Sequence, residues 1–341
     1  MEYTTLGPTG SEVSKLCLGT WRFGHETDGV VETTESEAHD LLDAAVEAGI
    51  NFIDTANRYG DPPGTSEQYL GNWLEGRDRE DFVIASKVGM PVDDGRGWNR
   101  DGLSRKHVRW QIDATLERLG TDYLDLYYIH RLDDRTPVQE TLTTLHQLVE
   151  EGKVRHLGAS TMAAWELTEL LWKADANGLE SVAVTQPPVD ATLQNWQRYE
   201  RFDLHRYLEV CEKHDIGVLP YSPLAGGFLT GKYERDGDAP EGSRADLDPD
   251  TFERKYVSER AWDVLDAVRV VTDEADATAA QVALRWVMEQ DQLPGGMIPL
   301  TGARTVDQLR ENIGAVDLDL SRDQLDRIDE ARGQPLFAAK L

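Results

Sequence analysis

Residues 82–130 of the chain read FVIASKVGMPVDDGRGWNRDGLSRKHVRWQIDATLERLGTDYLDLYYIH. This stretch begins with a short apolar segment, Phe82–Ser86, and ends with another, Tyr123–Ile129, and both are rich in the β-branched or aromatic residues typical of strands. Between them, apolar residues recur at helical spacing over 105–119. The stretch therefore predicts a strand, a helix and a second strand, and such unbroken apolar strands favour a parallel sheet buried on both faces.

The same alternation runs through the rest of the chain. The predicted strands are Lys15–Leu18, Ile50–Ile53, Phe82–Ser86, Tyr123–Ile129, Val154–Gly158, Val182–Thr185, Gly217–Leu219 and Met297–Leu300. The predicted helices span 36–48, 66–75, 105–119, 138–151, 163–177, 203–214, 258–290 (in two pieces) and 306–315. Predicted capping boxes at helix starts pair Thr34 with Glu37, Thr65 with Gln68, Thr278 with Gln281, Thr305 with Gln308, and Ser321 with Gln324.

Eight strand–helix units in 341 residues predict a (β/α)8 TIM barrel that forms one domain over 1–341. The competing fold is an open doubly wound sheet, which binds dinucleotides through a G-x-G-x-x-G turn after its first strand. Here residues 18–24 read LGTWRFG, so that fingerprint is absent. The sequence therefore favours the barrel.

Two segments lie outside the strand–helix alternation. Residues 1–14 predict a small β-hairpin at the barrel bottom, turning at 6–10. Between Tyr221 and about Tyr256 the sequence predicts no helix or strand, which leaves a long loop after the seventh strand. Loops of that length in compact domains often close over a ligand, so we expect a mobile lid here, anchored by Lys232.

The composition limits the partners of the protein. Asp and Glu number 63 against 35 Lys and Arg, for a net charge of −28, and such a surface repels nucleic acid and anionic membranes. No targeting signal or membrane span is evident, so we expect a cytoplasmic protein. Acid excess with only nine Lys is expected of a protein that works in high salt. Cys17 and Cys211 lack metal-site spacing and are expected to be core residues, and no metal is expected.

Polar residues follow three consecutive predicted strands. Asp54 and Tyr59 come after the second strand, Lys87 after the third and His130 after the fourth. Catalytic residues of TIM barrels lie at the carboxyl ends of the strands, so these four side chains are expected to converge at one mouth. Each alone could be an ordinary turn, rim or core residue, but chance convergence of all four is improbable.

These residues carry a resemblance that covers nearly the whole chain. The segments 54–60 (DTANRYG), 86–87 (SK) and 129–130 (IH) resemble the tetrad motifs of the aldo-keto reductases. Further similar motifs are 3–10, 18–21, 66–71, 152–160, 220–233, 299–304 and 308–312. The resemblance implies an NADP(H)-dependent oxidoreductase that reduces aldehydes or ketones to alcohols.

The residue types of the tetrad suit this reaction. Reduction of a carbonyl needs a proton on oxygen, and a free phenol such as Tyr59 has a pKa of about 10. An ammonium such as Lys87 at about 4 Å would supply roughly 4 kcal/mol, so we expect it to lower the pKa of Tyr59. Asp54 is expected to hold Lys87 charged and oriented, and His130 to orient the carbonyl oxygen.

The resemblance also implies a cofactor shell. Ser160 and Gln186 match residues that hold the nicotinamide carboxamide, Tyr221 matches the stacking ring, and Arg304 matches a contact to the 2′-phosphate that favours NADP over NAD. The full set of matching positions is Gly19, Thr20, Trp21, Ser160, Gln186, Tyr221, Ser222, Leu224, Gly226, Lys232, Gly302, Arg304, Gln308, Glu311 and Asn312. Two positions depart from the family pattern: Thr161 replaces the usual Asn, and 186–190 read QPPVD instead of Gln-x-x-Tyr-Asn.

Aromatic residues near these motifs predict the substrate wall. Trp21, Phe23 and Trp98 are the candidates. The substrate itself, the reaction direction and the oligomeric state stay open. The alternative function is a non-catalytic, nicotinamide-nucleotide-binding regulatory module, because potassium-channel β subunits resemble the chain across the same motifs. His130 argues against it, since those subunits carry a different residue at the matching position.

Overall fold

The structure is a computed structural model that describes residues 1–27, 29–93, 98–192, 203–290, 292–293, 295–333 and 336–337. Its strands, β1 to β12 in chain order, are Tyr3–Thr5, Glu12–Ser14, Cys17–Gly19, Glu26–Thr27, Val30–Val31, Phe52–Asp54, Val83–Val88, Leu124–Ile129, Val154–Ser160, Val182–Gln186, Gly217–Val218 and Leu300–Thr301. Its α-helices, α1 to α12, are Glu35–Glu47, Thr65–Leu74, Arg105–Leu119, Val138–Glu150, Ala164–Asn177, Leu204–Lys213, Arg244–Leu247, Pro249–Tyr256, Glu259–Ala275, Ala279–Met288, Val306–Ile313 and Arg322–Arg332.

Eight of these strands form one parallel sheet in the order β11-β10-β9-β8-β7-β6-β3-β12. The two edge strands are joined by backbone hydrogen bonds. Ile298 N–H donates to the Val218 carbonyl (3.0 Å) and Leu300 N–H to the Pro220 carbonyl (2.8 Å). The sheet therefore curls back on itself, and the predicted (β/α)8 barrel is confirmed, with all eight predicted strand positions occupied by strands or by this closing contact.

The helix starts follow from their caps. Boxes with both hydrogen bonds are present at Thr34 with Glu37, Thr278 with Gln281, and Ser321 with Gln324, as predicted. The predicted box at Thr65 with Gln68 is wrong. Gly64 caps that helix with a left-handed backbone, and the Thr65 hydroxyl donates to the Pro62 carbonyl instead (2.6 Å). A glycine at this position relieves the steric cost that a side chain would meet at positive φ.

The predicted N-terminal hairpin is confirmed as β1 and β2, paired antiparallel. It covers the amino-terminal end of the barrel, where Gly7 lies against β10 and β11. A Cβ on Gly7 would come within 2.8 Å of the Ala183 carbonyl oxygen and 2.9 Å of the Gly217 nitrogen. Only glycine allows the two backbones to approach this closely, so the hairpin closes the barrel bottom and leaves the other end for chemistry.

The barrel interior is filled by side chains that point inward from the strands, including Cys17, Phe52 and Tyr128. Tyr128 faces Gly158 on the neighbouring strand, and a Cβ there would lie 2.4 Å from the Tyr128 ring. The Tyr128 ring centroid lies 5.8 Å from the Lys87 Nζ. The missing side chain of Gly158 therefore makes room for an aromatic ring under the mouth of the barrel.

The segment after β11 corrects the prediction of a structureless loop. It contains a 3-10 turn, Ala225–Thr230, and the short helices α7 and α8. Phe252 and Tyr256 of α8 are buried, and the Phe252 ring packs 4.9 Å from the Tyr233 ring. The Asp and Pro residues that resemble a loop in sequence serve as helix starts: Asp248 caps α8, and its first residue is a proline, which suits an N-terminal turn.

A second small hairpin, β4 and β5, follows the first barrel strand and was not predicted. Its strands have two residues each, too short for a recognisable alternation. None of the helices described is long and apolar enough to cross a membrane.

Candidate active site

The parallel strands bring the predicted tetrad to one mouth. Asp54 ends β6, Lys87 lies one residue before the end of β7, and His130 follows β8 directly. Tyr59 lies in the loop after β6, where its ring contacts the His130 ring edge to face, with centroids 6.0 Å apart. The convergence that the sequence predicts is therefore present in the structure.

Lys87 is the centre of this cluster. Its ammonium donates to Asp54 Oδ1, to the Thr55 carbonyl (2.8 Å) and to the Tyr59 hydroxyl (3.1 Å). The Lys87 side chain is 0 % exposed and that of Asp54 is 1 % exposed. A buried ammonium needs partners of this kind, because an unpaired charge away from water is costly. Three acceptors hold the lysine in one orientation toward the phenol.

A row of buried hydroxyls fixes the loops around Asp54. The Ser66 hydroxyl lies 2.7 Å from that of Thr20 and 3.0 Å from that of Thr55. The Thr20 hydroxyl also donates to the Asp54 carbonyl (3.1 Å). Thr20 is thus fully buried and does not line the wall of the mouth, although the resemblance placed it in the cofactor shell.

Asp54 also connects the tetrad to the predicted carboxamide clamp. Gln186 Nε2 donates to Asp54 Oδ2 (2.9 Å), and the Ser160 hydroxyl donates to the Gln186 carbonyl (2.9 Å). Thr161, which follows Ser160, has a φ of +49°. Asparagine tolerates this left-handed backbone far better than a β-branched residue does, which accounts for the usual Asn of the family and makes Thr161 a strained position.

The ionisation states differ in one respect from the expectation. Burial alone would lower the pKa of Lys87, but Asp54 and Tyr59 together raise it above its ordinary value, so the ammonium stays charged. Burial raises the pKa of Tyr59, Lys87 lowers it and Asp54 raises it, and the balance lies above the ordinary value. The expected lowering is therefore wrong for the chain by itself, because the charge of Asp54 and the loss of water offset the effect of Lys87.

His130 is neutral at the mouth. Burial, Lys87 and Arg58 lower its pKa to about 3. Its Nδ1 has no hydrogen-bond partner among the residues that the structure describes. A neutral imidazole with both a donor and an acceptor nitrogen can donate a hydrogen bond to a carbonyl oxygen without adding charge.

The mouth opens into a cavity of about 830 Å³. The predicted residues that line it are Gly19, Trp21, Asp54, Tyr59, His130, Ser160, Gln186, Tyr221, Ser222, Leu224, Gly226, Lys232, Gly302, Arg304, Gln308, Glu311 and Asn312. Lys87 lies directly behind Tyr59. The catalytic and cofactor-binding candidates therefore share one continuous cavity, apart from Thr20 and Lys87.

Two of the three predicted substrate-wall residues are elsewhere. Phe23 is 1 % exposed and packs in the core, and Trp98 is 94 % exposed and projects into solvent. Trp21 does line the cavity, with its ring edge to face against Tyr59 (centroids 5.1 Å apart). Sequence position alone did not distinguish an aromatic residue in the core from one on the wall.

Cations gather at the far end of the cavity. Lys232 and Arg304 were predicted there, and Arg22, Arg244 and Lys255 also line the wall. The last three were not among the predicted positions. The scarcity of basic residues was the available signal. In a chain with a net charge of −28, basic side chains that gather on one face stand out as a candidate binding site for an anion. Such a cluster suits a ligand with phosphate groups.

The backbone of Arg304 is fixed by the start of α11. Thr305 accepts the Gln308 N–H (3.2 Å), but the Gln308 side chain accepts from the Arg304 N–H (3.0 Å). The predicted capping box at Thr305 is therefore only half formed. The Arg304 guanidinium donates to the Gly242 carbonyl (2.5 Å), which ties this end of the cavity to the segment before α7.

The described ranges contain no group of three or more His, Cys, Asp and Glu side chains arranged to hold a metal ion. The cavity instead has the tetrad, with its phenolic proton donor, at one end and a cluster of basic side chains that suits phosphate groups at the other.

Comparisons with known proteins agree with this geometry. Residues 15–332 match the Aldo/keto reductase family. The chain is 34 % identical over 336 residues to the uncharacterized oxidoreductase YrpG of Bacillus subtilis (97 % of this chain, 95 % of that protein). It is 34 % identical over 330 residues to a probable voltage-gated potassium channel subunit beta of Arabidopsis thaliana (93 % and 92 %) and 32 % identical over 349 residues to the versiconal hemiacetal acetate reductase of Aspergillus parasiticus (97 % and 96 %). The chain therefore belongs to the aldo/keto reductase family and is an oxidoreductase.

Proposed function

We propose that the protein reduces aldehydes or ketones to alcohols with NADP(H), and that Tyr59 donates the proton. The observation that carries the proposal is the 3.1 Å hydrogen bond from the buried Lys87 ammonium to the Tyr59 hydroxyl, at the wall of a cavity that ends in cations. A bound nicotinamide dinucleotide supplies the hydride. The chain itself must hold the carbonyl, deliver a proton to its oxygen and keep water away.

Each member of the tetrad has one role in the proposal. Tyr59 gives its phenolic proton to the carbonyl oxygen, and Lys87 stabilises the phenolate that this leaves. Asp54 keeps Lys87 charged and aimed, and neutral His130 orients the substrate oxygen by donating a hydrogen bond. Trp21, beside Tyr59, forms the substrate wall.

The residues along the cavity fit an extended anionic dinucleotide. Ser160 and Gln186 are proposed to hold the carboxamide, and Tyr221 to stack on the nicotinamide. Ser222, Leu224 and Gly226 would approach the diphosphate beside Lys232, whose Nζ lies 3.6 Å from where a Cβ of Gly227 would be. Gly19, Gly302, Gln308, Glu311 and Asn312 complete the proposed shell. Arg304 is proposed to contact the 2′-phosphate, which gives NADP(H) its advantage.

Replacement of Arg304 by Ala is expected to weaken NADP(H) at least about tenfold and NAD(H) much less, because a guanidinium–phosphate hydrogen bond contributes about 1.5–3 kcal/mol. Calorimetric titration with both dinucleotides measures this directly. Arg310→Ala is the matched control, because Arg310 is an exposed arginine of the adjoining helix and does not line the cavity. Equal losses for NADP(H) and NAD(H) would show that Arg304 does not contact the 2′-phosphate.

Measurement of turnover distinguishes the proposed reductase from the regulatory alternative. The similarity to the plant channel subunit is the reason to test that alternative. The assay follows NADPH and NADH oxidation against a panel of aldehydes, ketones and sugars, with mass spectrometry of the alcohol product. We expect carbonyl-dependent oxidation, with one alcohol formed for each NADPH consumed. Tight dinucleotide binding without turnover of any carbonyl would favour the regulatory module.

The setting of the enzyme is also part of the proposal. We infer a single domain over 1–341 that works in the cytoplasm of an organism adapted to high salt, where ions screen a net charge of −28. Activity in the same assay is therefore expected to rise from low to molar KCl.

A further inference from the structure

One carboxylate oxygen faces two arginines at the cationic end of the cavity. Glu32 Oε2 forms an ion pair with Arg22 Nη1 and lies 3.7 Å from Arg304 Nη2. The other oxygen, Oε1, accepts from the Thr27 hydroxyl (2.7 Å). Guanidiniums form the same charge-assisted hydrogen bonds with carboxylate and with phosphate oxygens, so a pair of arginines that converges on a carboxylate oxygen has the chemistry to bind a phosphate as well.

The two arginines reach this point from distant parts of the chain. Arg22 lies in the loop after β3, and Arg304 lies between β12 and α11. Both line the cavity, whereas Glu32 follows the β4–β5 hairpin, is 12 % exposed in its side chain and does not line the wall. The carboxylate therefore holds the guanidiniums from behind and leaves their other faces toward the cavity.

The single negative charge of Glu32 does not balance the positive charges of the basic side chains at the cationic end of the cavity. Burial, together with the nearby charges of Arg304 and Arg244, lowers the pKa of Arg22 to about 9. Burial and the charges of Arg304 and Arg22 lower the pKa of Lys232 as well. Cations that disfavour one another in a partly dry pocket are stabilised by an anionic ligand.

We propose that Arg22 is a second residue for the 2′-phosphate of the dinucleotide, acting together with Arg304, and that Glu32 holds the two guanidiniums in place for it. The inference rests on the proposed use of NADP(H). A guanidinium carries five N–H donors, so Arg22 can keep its bond to Glu32 and still donate to a phosphate oxygen. Arg22 is assigned to the 2′-phosphate because it shares Glu32 with Arg304, whereas Lys232 lies beside the Gly226–Gly227 turn.

The test is calorimetric binding of two pairs of probes that differ only by the 2′-phosphate: NADP⁺ with NAD⁺, and 2′,5′-ADP with 5′-AMP. Arg22→Met is expected to weaken NADP⁺ and 2′,5′-ADP about tenfold, which is about 1.4 kcal/mol, and to leave NAD⁺ and 5′-AMP within about twofold. Arg206→Met is the control, because Arg206 is an exposed arginine outside the cavity.

A second variant guards against a trivial loss of structure. Arg22→Met leaves Glu32 without its main partner, so Arg22→Met/Glu32→Gln removes both charges, keeps an unbranched side chain at 22 and keeps the side-chain length at 32. The double variant is expected to show the same selective loss. Equal weakening of all four probes would place Arg22 at the adenosine 5′-phosphate that they share and overturn the inference, and so would unchanged binding of all four.

The same data separate this inference from the function on which it rests. Where wild-type protein prefers NADP⁺ and Arg304→Ala removes that preference but Arg22→Met does not, the role of Arg22 alone is overturned. Where wild-type protein shows no preference for the 2′-phosphate, the proposed cofactor choice fails, and the role of Arg22 fails with it.

Discussion

Replacement of Tyr59 by Phe is expected to lower kcat for carbonyl reduction by about 10²–10⁴-fold, the range typical of losing a general acid. The aromatic ring stays, so its contacts with Trp21 and His130 are kept, and only the hydroxyl that Lys87 contacts is removed. NADPH affinity is expected to change little. Steady-state kinetics together with a dinucleotide titration measure both quantities.

The control for this variant is Tyr127→Phe. Tyr127 is also fully buried, on β8, and its hydroxyl has no partner within the described part of the chain. Its loss is expected to leave turnover unchanged. Near-normal turnover in Tyr59→Phe itself would remove the tetrad assignment.

The pH profile offers a second readout for Tyr59. Reduction requires the protonated phenol, and burial raises the pKa of Tyr59 above 10. The wild-type rate of reduction is therefore expected to stay level through neutral and mildly alkaline pH and to fall only as pH rises through that raised pKa. The residual activity of Tyr59→Phe is expected to lack this alkaline fall.

Replacement of Lys87 by Met is expected to lower both activity and stability. The change leaves the Asp54 carboxylate buried and without its cation, and breaking one partner of a buried ion pair costs about 3–5 kcal/mol. Reduction is expected to fall by orders of magnitude, because nothing then stabilises the phenolate of Tyr59. Denaturant unfolding followed by circular dichroism measures the first effect, and kcat the second.

A double variant separates the two effects. Asp54→Asn/Lys87→Met removes both charges, and the amide at 54 can still accept the hydrogen bond from Gln186. Stability is expected to return toward the wild-type value while reduction stays lost. Should the double variant be active, Lys87 would have only a structural role. If the double variant is no more stable than Lys87→Met, the stability lost in Lys87→Met does not come from the unpaired charge of Asp54.

Much of the barrel and of the tetrad could be predicted from the sequence, because both depend on short-range patterns. A parallel barrel places every strand end at one mouth, so finding Asp54, Lys87 and His130 after consecutive strands was enough to predict that they meet. The pKa of Tyr59 could not be predicted in the same way. Its direction depends on how much water the fold removes and on the second charge of Asp54, and neither follows from spacing.

Side-chain direction and long-range pairing were the other limits. Phe23, in the loop after β3, packs into the core, while Trp21 of the same loop lines the cavity. In a strand, residues two apart point to the same face of the sheet, but this alternation does not hold in the loop that follows the strand. The contact of Arg22 with Glu32 and Arg304 brings together three separate segments: the loop after β3, the residue after the β4–β5 hairpin and the loop after β12. Such a contact forms only in the folded chain. The helices α7 and α8 were too short for their periodicity to be recognised.

The tight fit of Gly158 against Tyr128 bears on how sequences of this barrel can change during evolution. A side chain at 158 is compatible with the fold only where the residue at 128 becomes smaller, so the two positions are expected to covary among related barrels. The Tyr128 ring lies 5.8 Å from the Lys87 ammonium. A compensating pair of substitutions would therefore change the packing beside the lysine, so mutations at 158, two residues before Ser160, carry a selective cost that falls on the ionic cluster.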